Sequence, residues 1–198
     1  MKKTSIPNKS ALIMRNHVFM MYTTLKSSIS VLAFMSVLTL MTWNVTGIMS
    51  SLCYLNDALD KNTVDLCGIS EHWLQFPQNS YILDCISPNY SVHAVCDSSL
   101  NVYNKRNVGK GSVALMWRKH NQIIPLQTDD DRLVGIQLQT TPEQYMFIFQ
   151  IYLPCSNHSI SIYRTYIEKL YDLYSMYSPT GSVVFLGDFN AKYDIKHK

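Results

Sequence analysis

The sequence is poor in charged residues and lacks the cysteine spacing of a small metal-binding or disulfide-rich module. Charged residues make up 16% of the 198 positions, below the roughly 25% of a typical soluble domain. Hydrophobic residues make up 47%, which excludes a disordered or low-complexity chain. The five cysteines contain no Cys-x-x-Cys pair, which argues against a zinc ribbon and a complete disulfide framework. Reduced thiols indicate a nuclear or cytoplasmic protein.

Acidic residues are absent from the first 56 positions, where five basic residues lie. The remaining positions carry twelve basic and fourteen acidic residues, a net charge of −2. Nucleic-acid binding by this part of the chain therefore depends on local basic patches. One such patch contains Lys105, Arg106 and Lys110. It is either a solvated hairpin loop or a loop that contacts a phosphate backbone.

No apolar run is long enough for a membrane-spanning helix. The stretch between Ser28 and Trp43 is mostly apolar but shorter than the roughly 20 residues that such a helix needs. We predict that residues 1–36 form a poorly ordered or loosely helical extension, and a signal or transit peptide there stays open. Residues 37–198 are predicted to form one partial domain.

Short β-rich runs alternate with helical patterns from Val37 onward. Ser50 or Ser51 offers an N-cap to a helix with apolar residues at Leu52, Leu55 and Leu59. The predicted strands are Val37–Val45, Val64–Ser70, Ser112–Trp117, Leu133–Leu138, Tyr145–Tyr152 and Val183–Leu186. This alternation indicates an α/β (α+β) protein with two layers of β-sheet and helices outside, with too few strands for a complete example.

The clearest helix is predicted from Asn157 to Ser178, before Pro179-Thr180-Gly181. Its apolar and aromatic positions keep a 3.6-residue spacing, which is typical of a buried face and less so of a base-stacking platform. These positions are Tyr163, Ile167, Leu170, Tyr174 and Tyr177.

Four segments place polar side chains at the ends of predicted strands. They are Thr42-Trp43-Asn44-Val45, Ser70-Glu71-His72-Trp73, Ile151-Tyr152-Leu153-Pro154 and Leu186-Gly187-Asp188-Phe189-Asn190-Ala191. Each segment alone is more typical of a turn, a helix cap or a solvated strand end than of a functional site. Together, two carboxylates, two amides and a phenol suit a hard divalent cation and a phosphate.

In the order and spacing of these segments, the chain resembles the endonuclease/exonuclease/phosphatase superfamily, whose members are Mg²⁺-dependent phosphodiesterases. The resemblance runs from about Leu38 to about Ala191 and is most specific at Gly187-Asp188-Phe189-Asn190. The segment from Tyr152 to Ser159 is most similar to endonuclease domains of non-LTR retrotransposons. The resemblance implies a deoxyribonuclease-like four-layer fold, in which a two-layer β-sandwich is flanked by helices.

The resemblance also implies the roles of the site residues. Glu71 would bind Mg²⁺, with Mn²⁺ as an alternative, and Asn44 would help to orient the metal or the phosphate. Asp188 would align and deprotonate the attacking water. Asn190 would hold that water or a phosphate oxygen, and Tyr152 would donate to the phosphate. The ancestral substrate would be the phosphodiester backbone of DNA.

Two elements of the superfamily pattern are missing from this sequence, namely a Ser-Asp-His segment after the Asp-x-Asn pair and the aspartate that orients its histidine. His72 and His158 are possible phosphate contacts but are better interpreted as solvated or capping residues. Loss of a general acid or base typically costs 10²- to 10⁴-fold in rate, so we expect a C-terminally truncated or degenerate domain with weak or no hydrolysis.

Two alternatives stay open. A catalytically inactive module of the same fold could bind nucleic acid through its basic loop. A phosphoesterase of the same superfamily could instead act on a small molecule or a lipid, since loops around the cleft set the substrate.

Overall fold

The computed structural model describes residues 12–15, 18–25, 38–74, 79–96, 112–119, 122–155 and 159–191. Within these ranges the chain forms three helices, none of which has the length and apolarity that a membrane crossing needs. The helices are α1 (Ile48–Lys61), α2 (Asn79–Cys85) and α3 (Ile160–Tyr177). The strands are β1 (Leu12–Arg15), β2 (Val18–Leu25), β3 (Leu38–Asn44), β4 (Leu66–Ser70), β5 (Tyr90–Val95), β6 (Val113–Arg118), β7 (Ile123–Leu126), β8 (Leu133–Thr141), β9 (Gln144–Tyr152) and β10 (Gly181–Asp188).

The strands form two sheets. The first has the order β1-β2-β3-β4-β6-β5, and the second has the order β10-β9-β8-β7. Only two neighbouring pairs among the described strands are parallel, β3 with β4 and β9 with β10. Each parallel pair is connected through a helix, as parallel neighbours require.

Three hydrophobic clusters separate four layers. One lies between α1, α2 and the first sheet, and includes Met41, Ile48 and Leu55. The second lies between the two sheets, and the third lies between the second sheet and α3. The predicted fold class, a β-sandwich flanked by helices, is therefore confirmed.

All six predicted strands are present, with bounds that differ by a few residues. The sequence analysis missed β5 and β7, both short, and the first two strands of the chain. β1 and β2 lie within residues 1–36, where irregular or loosely helical chain was expected. β2 pairs antiparallel with β3 from Met20 opposite Trp43 to Leu25 opposite Leu38, which covers an edge that β3 would otherwise expose. The predicted boundary between an N-terminal extension and the domain, at residues 36 and 37, stays a prediction.

The start of α1 differs from the predicted one. The helix begins at Ile48 after Gly47, so Ser50 and Ser51 lie in its first turn and donate their hydroxyls to the carbonyl of Gly47. Gly47 has a φ of 94°, and a Cβ there would lie 2.9 Å from the Trp73 ring. Glycine allows both the left-handed turn and this close contact.

The buried face of α3 was only partly predicted. Leu170 is buried, and Tyr163 and Tyr177 pack against the third cluster as expected. Ile167 and Tyr174 are exposed instead, because the residue before each of them, Tyr166 and Leu173, takes the packed position. The helix is therefore rotated slightly about its axis relative to the predicted stripe.

Candidate active site

Four strand ends meet at one edge of the sandwich. Asn44 ends β3, and Glu71 directly follows β4, which runs parallel to β3. Tyr152 ends β9 opposite Asp188, which ends the parallel strand β10. Because β10 packs across β3 and β4, the carboxyl ends of both parallel pairs lie side by side. The site is therefore built from both sheets.

The side-chain amide of Asn44 joins the two acids. Its Nδ2 donates to Oε1 of Glu71 at 2.9 Å and to Oδ2 of Asp188 at 3.4 Å. Its Oδ1 accepts from the backbone N–H and the hydroxyl of Thr46, both at 3.2 Å. Thr46 therefore orients the amide so that its NH₂ group faces the carboxylates.

Tyr152 completes this group. Burial raises the pKa of its phenol, and a hydrogen bond to the Glu71 carboxylate raises that pKa further. The phenol is thus a proton donor at neutral pH. The guanidinium carbon of Arg132 lies 5.1 Å from the centre of the Tyr152 ring, which places a cation beside this ring.

Asn190 holds the segment after β10 in place. Its backbone N–H donates to Oδ1 of Asp188 at 2.9 Å, and its Nδ2 donates to the carbonyl of Leu153 at 2.7 Å. Its φ of 46° is left-handed, a conformation that asparagine tolerates better than most residues. The amide oxygen of Asn190 has no part in these two hydrogen bonds.

The backbone around Glu71 is also unusual, since Glu71 and Trp73 both have a φ of 58°. Hydrogen bonds on both sides maintain this conformation. The Glu71 N–H donates to Ser112 at 2.9 Å, and its carbonyl accepts from Gly47 at 2.8 Å. Left-handed non-glycine residues concentrate at functional sites, where surrounding contacts hold them.

The donor set fits a hard divalent cation. Among the described residues, no three His, Cys, Asp or Glu side chains cluster closely enough to hold a metal ion together. Mg²⁺ needs only one or two carboxylates because water and substrate oxygens complete its coordination. Glu71 and Asp188 supply two, both within reach of one amide. The predicted roles of Asn44, Glu71, Tyr152, Asp188 and Asn190 stay predictions, but the structure brings these side chains together.

His72 is not a solvated or capping residue. It is buried, its Nε2 lies 3.0 Å from the carbonyl of Val95, and its Nδ1 accepts from Leu74 at 3.2 Å. Burial lowers the pKa of His72 to about 4, so the ring is neutral at pH 7 and is part of the core. His158 and the basic residues Lys105, Arg106 and Lys110 lie outside the described residues.

The sequence analysis missed three residues around the site, namely Thr46, Arg132 and Gln150. Thr46 carried only the signal of a turn, together with Gly47. Arg132 follows an acidic turn, and only its position over Tyr152 reveals it. Gln150 had a signal, since it interrupts the apolar run Phe147-Ile148-Phe149-Gln150-Ile151, and it is fully buried.

Solved structures share this fold. TDP2 of D. rerio in complex with a single-stranded DNA product has 19% identity and a TM-score of 0.56, over 79% of this chain and 62% of that one. The 3′ phosphatase NExo from Neisseria, bound to a product DNA hairpin, has 18% identity and a TM-score of 0.56, over 78% and 59%. The endonuclease domain of TRAS1, a telomere-specific non-LTR retrotransposon, has 14% identity and a TM-score of 0.55, over 77% and 60%.

This chain spans about three fifths of the length of those chains. No protein-family model matches the sequence, and no curated protein is similar to it. The likeness is therefore one of fold, and the site's chemistry has to be argued from its own geometry.

Proposed function

We propose that this chain, which has the fold of the endonuclease/exonuclease/phosphatase superfamily, hydrolyses a phosphodiester bond with the help of a divalent cation. One observation carries the proposal. A single amide, that of Asn44, hydrogen-bonds to carboxylates from both sheets at the edge where a phenol also lies. Two acids held this close repel each other without a cation between or beside them.

The residue types suit the chemistry. Hydrolysis adds negative charge around phosphorus, which positioned donors stabilise. Tyr152 would donate to a phosphate oxygen, and Asp188 would orient the attacking water and accept its proton. The amide oxygen of Asn190 would hold that water. Mg²⁺, or Mn²⁺ as an alternative, held by Glu71 with Asn44 beside it, would neutralise charge on the phosphoryl oxygens.

We propose DNA as the substrate. Two of the structurally similar proteins, TDP2 and NExo, were solved with DNA products, and a third is a retrotransposon endonuclease. The cation of Arg132 beside Tyr152 offers a contact for a phosphate. A retroelement origin for the domain is part of the same proposal.

Nicking of supercoiled plasmid DNA tests the proposal. The purified chain is incubated with Mg²⁺ or with EDTA, beside Glu71→Gln and Asp188→Asn, which keep shape and remove charge. Glu143→Gln, in an exposed turn between β8 and β9, is the matched control. We expect Mg²⁺-dependent nicking that falls at least 10²-fold in both site variants and is unchanged in the control. Nicking that persists in both site variants would remove the assignment.

A second candidate is a DNA-binding module without hydrolysis. One observation favours it, since the two histidines among the described residues serve other contacts. His72 is bound to backbone on both nitrogens, and His93 hydrogen-bonds to the backbone of Leu126. Salt-dependent DNA binding without cleavage, lost when Lys105, Arg106 and Lys110 are neutralised, would support this candidate.

A further inference from the structure

Gln150 is a buried polar residue between the two sheets. It lies in β9 and is fully buried. Its Nε2 donates to the hydroxyl of Ser70 in β4 at 2.8 Å, and its Oε1 accepts from the hydroxyl of Thr42 in β3 at 3.3 Å. One side chain of the second sheet is thus hydrogen-bonded to two strands of the first.

Two glycines make room for this amide. A Cβ at Gly68 would overlap the Oε1 of Gln150, and a Cβ at Gly187 would lie 2.9 Å from its Nε2. Beneath the site, the other residues in the cluster between the sheets are apolar. A buried amide costs free energy unless its hydrogen bonds are made, so an apolar side chain would serve packing alone equally well.

The residues around the Gln150 amide are close in sequence to the site residues. Ser70 precedes Glu71, Gly187 precedes Asp188, and Thr42 lies two residues before Asn44. Gln150 itself lies two residues before Tyr152. The amide therefore connects the strands that carry these four side chains, directly beneath the site.

We infer that Gln150 is a positioning residue that sets the alignment of the two sheets under the site and thereby the distance between Asn44 and Asp188. The inference rests on the proposed function for its catalytic consequence. Apolar packing between sheets tolerates small slides, whereas two hydrogen bonds of fixed direction do not. The Asn44–Asp188 hydrogen bond is already 3.4 Å long, so a slide of a few tenths of an ångström breaks it.

The test separates positioning from stability. Gln150→Met removes both hydrogen bonds and takes this partner from the buried hydroxyl of Ser70 and the partly buried hydroxyl of Thr42, so it lowers the melting temperature. The triple variant Thr42→Val, Ser70→Ala and Gln150→Met replaces the whole polar group by apolar groups of similar size, which restores stability. Tyr90→Phe is the control, because it removes buried hydrogen bonds to Leu59 and Val64, before β4 and at the opposite end of that strand from Glu71.

Three measurements are made on each variant: the melting temperature, the Mg²⁺ concentration at the midpoint of thermal stabilisation, and the NMR signals of the Asn44 side-chain amide without Mg²⁺. We expect the triple variant to recover stability and yet to show shifted Asn44 signals and a Mg²⁺ midpoint about tenfold higher. Its nicking rate should fall about 10²-fold, as for a small misplacement of reacting groups. Tyr90→Phe should lose stability only.

Unchanged Asn44 signals in the stable triple variant would overturn the inference, whatever the nicking rate. If the unsubstituted chain neither binds Mg²⁺ nor nicks DNA but the Asn44 signals shift in the triple variant, the positioning role stands and the proposed function fails. The two proposals therefore fail in different ways.

Discussion

The amide nitrogen of Asn44 lies 3.4 Å from the carboxylate of Asp188, although 144 positions separate the two residues in the chain. One ends a strand of the first sheet and the other ends a strand of the second. The distance between them therefore reports how the sheets are aligned at the site.

Mg²⁺ should stabilise the folded chain. A cation that binds only the folded state raises the free energy of unfolding by about 2.7 kcal/mol when its concentration is a hundredfold above its dissociation constant. For a chain of this length that corresponds to roughly 5–10 °C in melting temperature. Thermal unfolding with Mg²⁺ and with EDTA measures the shift. It should disappear in Glu71→Gln and Asp188→Asn and persist in Glu143→Gln; equal shifts in all four proteins would contradict a metal site at these acids.

Asn44→Asp should make the folded chain less stable without metal and more strongly stabilised by Mg²⁺. The substitution replaces the bridging NH₂ donor by a third carboxylate, which repels Glu71 and Asp188 when no cation is present. We expect a lower melting temperature in EDTA and a larger stabilisation by Mg²⁺ than in the unsubstituted chain. Asn89→Asp, at an exposed position before β5, is the matched control and should change neither value. A variant as stable in EDTA as the original would show that the bridge contributes little.

Tyr152→Phe should reduce nicking with little effect on folding. The ring still packs under Arg132, whereas the phenol that donates to Glu71 is lost. We expect the rate to fall about tenfold or more, because one positioned donor is removed from the developing charge. The single-turnover nicking rate at saturating Mg²⁺ is the measurement. Tyr171→Phe, on the exposed face of α3, should nick at the original rate.

The chain should lose stability in mild acid because of His72. Its folded-state pKa is lowered to about 4, from an ordinary value of 6.5. The unfolded chain therefore binds a proton that the folded chain does not, and stability falls as the pH drops from 6.5 towards 4 and levels below that. The free energy of unfolding falls by on the order of 3 kcal/mol over this range. Urea unfolding from pH 7 to 4 measures it.

His72→Gln is the comparison for this pH dependence. It removes the titrating ring, so its stability should depend less steeply on pH between 6.5 and 4, even if the variant is less stable throughout. An identical pH dependence in the variant and the original chain would assign the effect to other groups, of which His93, with a pKa lowered by burial, is the next to test.

Several features of the fold were predictable because they depend on near neighbours in sequence. The strand ending at Asn44, the helix after it and the strand before Glu71 follow from apolar spacing and turn residues over ten or so positions. The face of α3 was less predictable, since Tyr166 and Tyr174 are chemically alike and only the packing against β9 selects the buried one. β2 was not predicted because it pairs with another segment of the chain, β3, and the residues of β2 alone do not show that pairing.

The sequence by itself determined which polar groups stand at strand ends, because a strand's apolar period stops where its buried face stops. Tertiary structure alone decided what each of them contacts. In the tertiary structure the Asn44 amide donates to two acids, His72 is buried in the core, and Gln150 donates to Ser70, a residue 80 positions away. The physical reason is that the free energy of a buried polar group depends on whether a partner is present, and the partner is supplied by whichever strand packs opposite.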